Sequence, residues 1–237
     1  MSIEEAKKEI LAVFPDAQPA RLFLTKQNLE LEESHGFTPE NTRFAEGGCS
    51  DEINEPEYQL MERYWGERFK FGGLAGYCHG GKSSLAAVSH HIPEGEGRKN
   101  LLLLAGPHIG YHRGQWGRVI RPGQQSLSDS CGSLAAALRT GRDGIRNKTM
   151  DPLDRQQQTV EQMVLPYLDG LSDTVGPDIL DATRFLMERI DADLMAIVVD
   201  LQRGFDGRTA VITGISVNTA YGNFFSPHRV QVLSETS

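Results

Sequence analysis

The chain has 237 residues, 39% hydrophobic and 24% charged, with a net charge of −8. That length suits one large domain burying roughly 70% or more of its unfolded surface, with no need of staples. The acidic balance argues against nucleic acid or an anionic membrane as the main partner, and no apolar run approaches the ~20 residues of a membrane span.

The first segment, MSIEEAKKEILAVF, is an amphipathic acidic-basic mix without the features of a secretory signal. A cytoplasmic location is therefore expected, where thiols stay reduced and the three cysteines, Cys49, Cys78 and Cys131, need form no disulfide framework. Ser2 and Glu5 make a capping box for a first helix of about three turns. Residues 15–47 show few periodic apolar positions and read as turns with one short helix, and the stretch from IEEA through ELEES reads as a solvated outer layer. After Cys49, INEPEYQLMERYW places Tyr58, Met61 and Trp65 on one helical face.

GYCHGGKS, Gly76 to Ser83, fits the phosphate-loop pattern G-x-x-x-x-G-K-[ST]. That loop must follow a buried strand, which reads as a run of Val, Ile and Leu. RFKFGGLAG carries charges and glycines there instead, so nucleotide binding is the weaker reading. LAAVSHHIP reads as a helix that stops before Pro93.

NLLLLAG is the strongest strand signal, a short apolar run closed by Gly-Pro. GRVIRPGQ suggests a second short strand. CGSLAAALRTG reads as a helix that opens after Ser-Asp-Ser and closes at a glycine. DPLDRQQQTVEQMVLPYLDGL has a Pro at a helix start, and Pro166 should bend or break it. ILDATRFLMERI follows as an amphipathic helix, LMAIVVDLQ and TAVITGISVNT as strands, and RVQVLS as a last, more exposed strand. Strands alternating with helices, without repeats or a linker, predict an α/β domain whose helices cover a sheet.

Three residues stand beside glycines at expected element ends: Cys49, His108 just past the NLLLLAG strand, and Cys131 at a helix start. α/β proteins assemble their sites at such ends. Two thiolates and one imidazole suit zinc with a fourth position open, and a helix N-terminus favours the Cys131 thiolate. Free cysteine is also commonly buried as a small hydrophobe, and no C-x-x-C pair is present, so the residues alone leave both readings open.

C-S-D at a strand end, a later histidine at a strand end, and C-G opening an alanine-rich helix resemble beta-class carbonic anhydrases. Two features depart from that class. It has H-x-x-C, whereas His108 and Cys131 are 23 positions apart, and it has Arg four residues after the first Cys, where this chain has Ile53. GGCSDEIN, FGGLAGYCHGGKS, LLLLAGPHIGY, GQQSLSDSCGSLAAAL and ITGISVNTAYGNFF are more specifically similar to the limiting-CO2-inducible protein B family, the theta-class carbonic anhydrases. The similarity runs from about residue 44 to about residue 230.

That resemblance implies a beta-carbonic-anhydrase-like α/β fold, a homodimer, zinc on Cys49, His108 and Cys131, and interconversion of CO2 and bicarbonate. It divides the single domain, 1–237, into an N-terminal helical extension (1–43) and a zinc-binding core (44–237). Asp51 is then the group that would aim the attacking hydroxide. Something cationic should hold it by a bidentate pair, and Arg63 or Arg68 is nearest in sequence, with Arg63 taken as the catalytic partner. Glu52 is a possible supporting group, Gln124 or Gln125 a donor to bicarbonate, and His90, His91 or His112 a proton carrier. Cys78 is expected to be no ligand. The alternative is a catalytically silent zinc-binding relative in a CO2- or bicarbonate-handling complex.

Overall fold

The computed structural model describes residues 3–234. The chain opens with helix α1 (Ile3–Val13), whose expected cap Ser2 lies outside the described residues, strand β1 (Gln18–Pro19), helix α2 (Ala20–His35) and strand β2 (Thr42–Gly48). Helix α3 (Glu55–Trp65), strand β3 (Phe69–Lys70), helix α4 (Gly81–Ser89) and strand β4 (Lys99–Gly106) follow. Four short strands come next: β5 (His108–His112), β6 (Gln115–Trp116), β7 (Arg118–Val119) and β8 (Ser128–Asp129). Helices α5 (Gly132–Asn147), α6 (Arg155–Gly170) and α7 (Ile179–Gln202) precede the long strands β9 (Gly207–Asn218) and β10 (Phe224–Ser234).

The sheet runs in the order β1-β10-β9-β4-β2-β3. Its centre is parallel: β2 on β4 and β4 on β9, while β10 closes one side antiparallel to β9. β5 takes up the line of β4 beyond Pro107 and pairs in parallel with the end of β9, His108 opposite Ser216. Strand alternation divides the core. Phe44, Leu102, Leu104, Ala210 and Ile212 pack with α2 and α3 on one face, and Ala45, Leu101, Leu103 and Val211 pack with α4 and α7 on the other. This is the expected α/β sheet with helices on both faces.

Several elements differ from the sequence reading, each for a local reason. Residues 15–47 hold a 16-residue helix and a central strand rather than turns. Two of the buried positions on α2 are Gln27 and Asn28, which hide its apolar period; Asn28 Oδ1 accepts from the buried Trp65 indole at 2.8 Å. Helix α1 and strand β1 also pack onto the rest of the molecule. Ala6, Ile10 and Phe14 sit in the same core as Ile109 and Tyr111, and β1 pairs with β10.

LMAIVVDLQ is not a strand but the second half of α7, because Leu186, Met187, Ile190, Leu194, Ile197 and Val198 keep one helical stripe buried. Pro166 lies inside α6 without ending it; it is on the exposed side, where water can satisfy the carbonyl it frees. That helix starts at Arg155, one turn after the expected Asp151–Pro152. α5 passes through Gly141, at φ 67°, before ending at Asn147.

β2 also buries a carboxyl group. Glu46 is 4% exposed and lies 3.4 Å from Arg68. Burial raises its carboxyl from 4.5 to about 7, against the opposing pull of Arg68 and Lys70. Between those values the folded chain keeps a proton that the unfolded chain has shed. This contribution to stability is therefore complete below about 4.5 and is lost as pH rises through about 7; its ceiling is roughly 3 kcal/mol. Glu46→Gln removes the titration, while Arg68 keeps Glu55 and Glu62 as partners. Urea unfolding at pH 5 and pH 8 should show the variant gaining stability relative to the parent at the higher pH. A difference between the two proteins that does not change with pH would refute this.

Candidate metal centre

The parallel strands β2, β4 and β9 all point their C-terminal ends to one edge of the sheet, where sites form in open α/β sheets. Cys49 is the residue after β2, His108 opens β5 two residues past β4, and Cys131 is the N-cap of α5. Their ligating atoms all lie within 4.8 Å of one another, and all three residues are buried.

The glycine-rich segment covers this edge. A Cβ on Gly72 would come within 2.4 Å of the Gly48 carbonyl oxygen, and one on Gly76, at φ +77°, within 2.0 Å of the Gly106 carbonyl oxygen. Those glycines let the loop rest on the strand ends, with Cys49 bridged to Gly73. Of the two glycines that the phosphate-loop pattern requires, Gly76 serves this packing, while Gly81, at φ +58°, has open space around it. The strand before the pattern is only the two-residue β3 at the edge of the sheet, and Lys82 pairs with Asp200 of α7 at 3.0 Å. Cys78 is buried on the other side among Leu85, Val88 and Leu103, where desolvation pushes its thiol well above the ordinary value.

The electrostatics suit a cation. The Cys131 thiol hydrogen-bonds to the Cys49 sulfur and, with the His108 imidazole alongside, holds the Cys49 thiol well below its usual pKa. Pressed against that thiolate and buried, Cys131 is pushed well above its own. Two thiolates in this space therefore need a positive charge between them. His108 Nδ1 lies 2.7 Å from Asn218 Oδ1, while its Nε2 is buried with no hydrogen-bond partner. An orphaned imidazole nitrogen beside two sulfurs is a donor set that could hold a metal ion.

Asp51 stands at the mouth of the triad, and the cation on it is Arg121. The two form a bidentate pair, Nη1–Oδ1 2.5 Å and Nη2–Oδ2 2.8 Å. Burial by itself would raise the Asp51 carboxyl; the Arg121 hydrogen bonds outweigh it and hold the carboxyl below the ordinary aspartate value. Arg121 also reaches Glu52 at 2.9 Å and the carbonyls of Asp129 and Ser130. Arg63 is thus corrected as the partner: it lies on the exposed side of α3, whose buried face is Tyr58, Met61 and Trp65. Arg68 is engaged by Glu46, Glu55 and Glu62.

Sequence reasoning missed Arg121 because it is 70 positions from Asp51. The hairpin that delivers it, Arg118 opposite Asp129 and Val119 opposite Ser128, brings residue 121 back beside Cys131. The Pro122–Gly123 turn signal between two short strands was the available clue. Among the histidines, His90 and His91 are exposed at the end of α4. The His91 carbonyl accepts from Arg43 near the start of β2, roughly 20 Å along that strand from Cys49. His112 is four residues beyond His108, roughly 13 Å along β5. Gln124 and Gln125 are exposed. The histidine near the site is His79, overlooked in the sequence, whose ring packs against Gly73.

A sheet-edge Cys-His-Cys triad with an arginine-held aspartate defines a carbonic-anhydrase-like protein. The model of the family described as limiting CO2-inducible proteins B/C beta carbonic anhydrases matches residues 19–234, and the chain belongs to that family. Its structure is similar to the crystal structure of PtLCIB4, a homolog of the limiting CO2-inducible protein LCIB, at 30% identity over 95% of this chain and 94% of that chain, with a TM-score of 0.83. It is also similar in fold to the crystal structure of LCIB, at 23% identity over 96% and 94% of the two chains, with a TM-score of 0.70. No curated protein matches the sequence. No helix among the described residues is long and apolar enough to cross a membrane.

Proposed function

We propose that this protein is a zinc-dependent carbonic anhydrase, a homodimer that interconverts CO2 and bicarbonate at Cys49, His108 and Cys131. The observation that carries the reading is the grip of Arg121 on Asp51. It leaves Asp51 Oδ2 3.8 Å from His108 Nε2, beside the triad but turned to the guanidinium, so a metal held by Cys49, His108 and Cys131 would not need Asp51 as a ligand.

Zinc bound there supplies a Lewis acid that lowers the pKa of a water molecule to about 7. The chain supplies the rest. Asp51, kept ionised by Arg121, accepts a hydrogen bond from the attacking oxygen and fixes its orientation toward CO2. Glu52 and the carbonyls of Asp129 and Ser130 fix Arg121 in turn. Cys49 and Cys131 share an apolar cluster with Ala75, Ile109 and Val217, and with Leu74 and Tyr77 of the glycine-rich loop.

Protein purified without chelator should carry about one zinc per chain and hydrate CO2 in stopped-flow measurements, and its mass in solution should be that of a dimer. Stoichiometric zinc with no hydration would reject the catalytic reading in favour of a silent relative.

A further inference from the structure

A line of hydrogen bonds runs from the imidazole of His108 to the backbone beneath Cys49. His108 Nδ1 faces Asn218 Oδ1 at 2.7 Å. Asn218 Nδ2 donates to Asn54 Oδ1 at 3.1 Å. Asn54 Nδ2 donates to the carbonyls of Asp51, at 3.3 Å, and Cys49, at 3.5 Å. Asn54 is 1% exposed and Asn218 0%, so bulk water replaces none of these partners. Asn54 also occupies the N-cap of α3 yet makes no side-chain cap bond there. An asparagine in that position ordinarily accepts from the first turn of its helix; this one is turned toward Asn218.

The two ends of an amide are told apart only by their partners, and here one partner is unambiguous. A backbone carbonyl only accepts. The Asn54 nitrogen must therefore face the Asp51 and Cys49 carbonyls, which turns its oxygen to Asn218. That oxygen needs a donor, so Asn218 gives its nitrogen to Asn54 and its oxygen to His108. The ring nitrogen opposite must then carry hydrogen. In the neutral ring Nδ1 is the N–H, and the lone pair is left on Nε2, the buried atom without a partner.

We propose that Asn54 and Asn218 are positioning residues: a one-directional amide relay that locks His108 in the Nδ1–H tautomer and presents Nε2 as a metal ligand. Its purpose rests on the metal-centre reading above, but the tautomer itself is a property of the metal-free chain and can be measured there. The relay also ties together the three segments that meet at the site, the start of α3, the start of β5 and the end of β9.

The test is nitrogen-15 NMR of histidine-labelled, metal-free protein at a pH where the ring is neutral. The parent should show His108 as the Nδ1–H form, the minor tautomer of free histidine. Asn218→Asp keeps an acceptor opposite Nδ1 and should keep that tautomer. Asn218→Leu removes the acceptor, so it should release the tautomer and weaken zinc binding roughly 10–100-fold in chelator competition. An Nε2–H form in the parent would overturn the proposal without any variant. So would a leucine variant with unchanged tautomer and zinc affinity, or aspartate and leucine variants that lose the tautomer alike. The expected tautomers in a protein that binds no zinc would support the relay and refute the metal reading.

Discussion

Cys49→Ser, His108→Ala and Cys131→Ser should each lose most of the bound zinc, and Cys78→Ser should keep it. The three ligating atoms are already gathered within 4.8 Å, so a cation placed among them meets all three without rearrangement. Removing one leaves two protein ligands and an uncompensated neighbour. The loss in affinity should exceed the roughly 10–100-fold that removing an outer hydrogen-bond partner costs. Cys78 is as buried as the others, at 2% exposure, but its surroundings are apolar and push the thiol upward. The thiolate that a metal needs is therefore disfavoured there. Metal content by mass spectrometry together with chelator competition decides the matter. Full zinc retention in any two of the three ligand variants would reject the assignment, and so would a Cys78→Ser protein that loses zinc as completely as Cys49→Ser.

The gathered cysteines and histidine, Cys49, His108 and Cys131, were legible in the sequence because each stands at a boundary that the sequence marks. His108 follows the apolar run of β4, and Cys131 precedes the helix pattern of α5. Asp51 could be named for its place after Cys49. Its partner could not, because pairing across 70 positions depends on the β7–β8 hairpin, and two-residue strands leave no periodic trace. The same limit hid Asn54 and Asn218, since a buried amide carries no pattern of its own. Elsewhere polar atoms masked helices and strands. Gln27 and Asn28 interrupt α2, and Glu46 makes β2 look too polar for a central parallel strand until Arg68 is seen beside it. β-branched Val198 and Val199 pulled the end of α7 toward a strand assignment, where the longer helical stripe decides the outcome. The phosphate-loop match shows the converse: Gly76, needed for packing over Gly106, happens to open a stretch that spells a nucleotide motif.

Asp51→Ala should keep near-full zinc and a normal fold but lose roughly 10²–10³ in kcat for CO2 hydration, the scale of one catalytic hydrogen-bonding group. Three ligands remain without it, so the metal stays. What is lost is the acceptor that orients the attacking oxygen. Arg121 sharpens the expectation. It touches Asp51 with both terminal nitrogens, and it is what turns the carboxylate away from a triad atom only 3.8 Å distant. Arg121→Met should therefore free Asp51 to swing into the open coordination position and should inactivate about as strongly as Asp51→Ala, with zinc retained or held more tightly. The two changes act on one device, so the double variant should be no worse than the more damaged single one. Coupling of that kind is expected between residues in direct contact. Rate constants for the four proteins, measured with their zinc contents, close the cycle. Losses that simply multiply would mean that Arg121 and Asp51 act independently. An Asp51→Ala protein as active as the parent would reduce Asp51 to the turn-capping acceptor for the Ile53 amide that it also is.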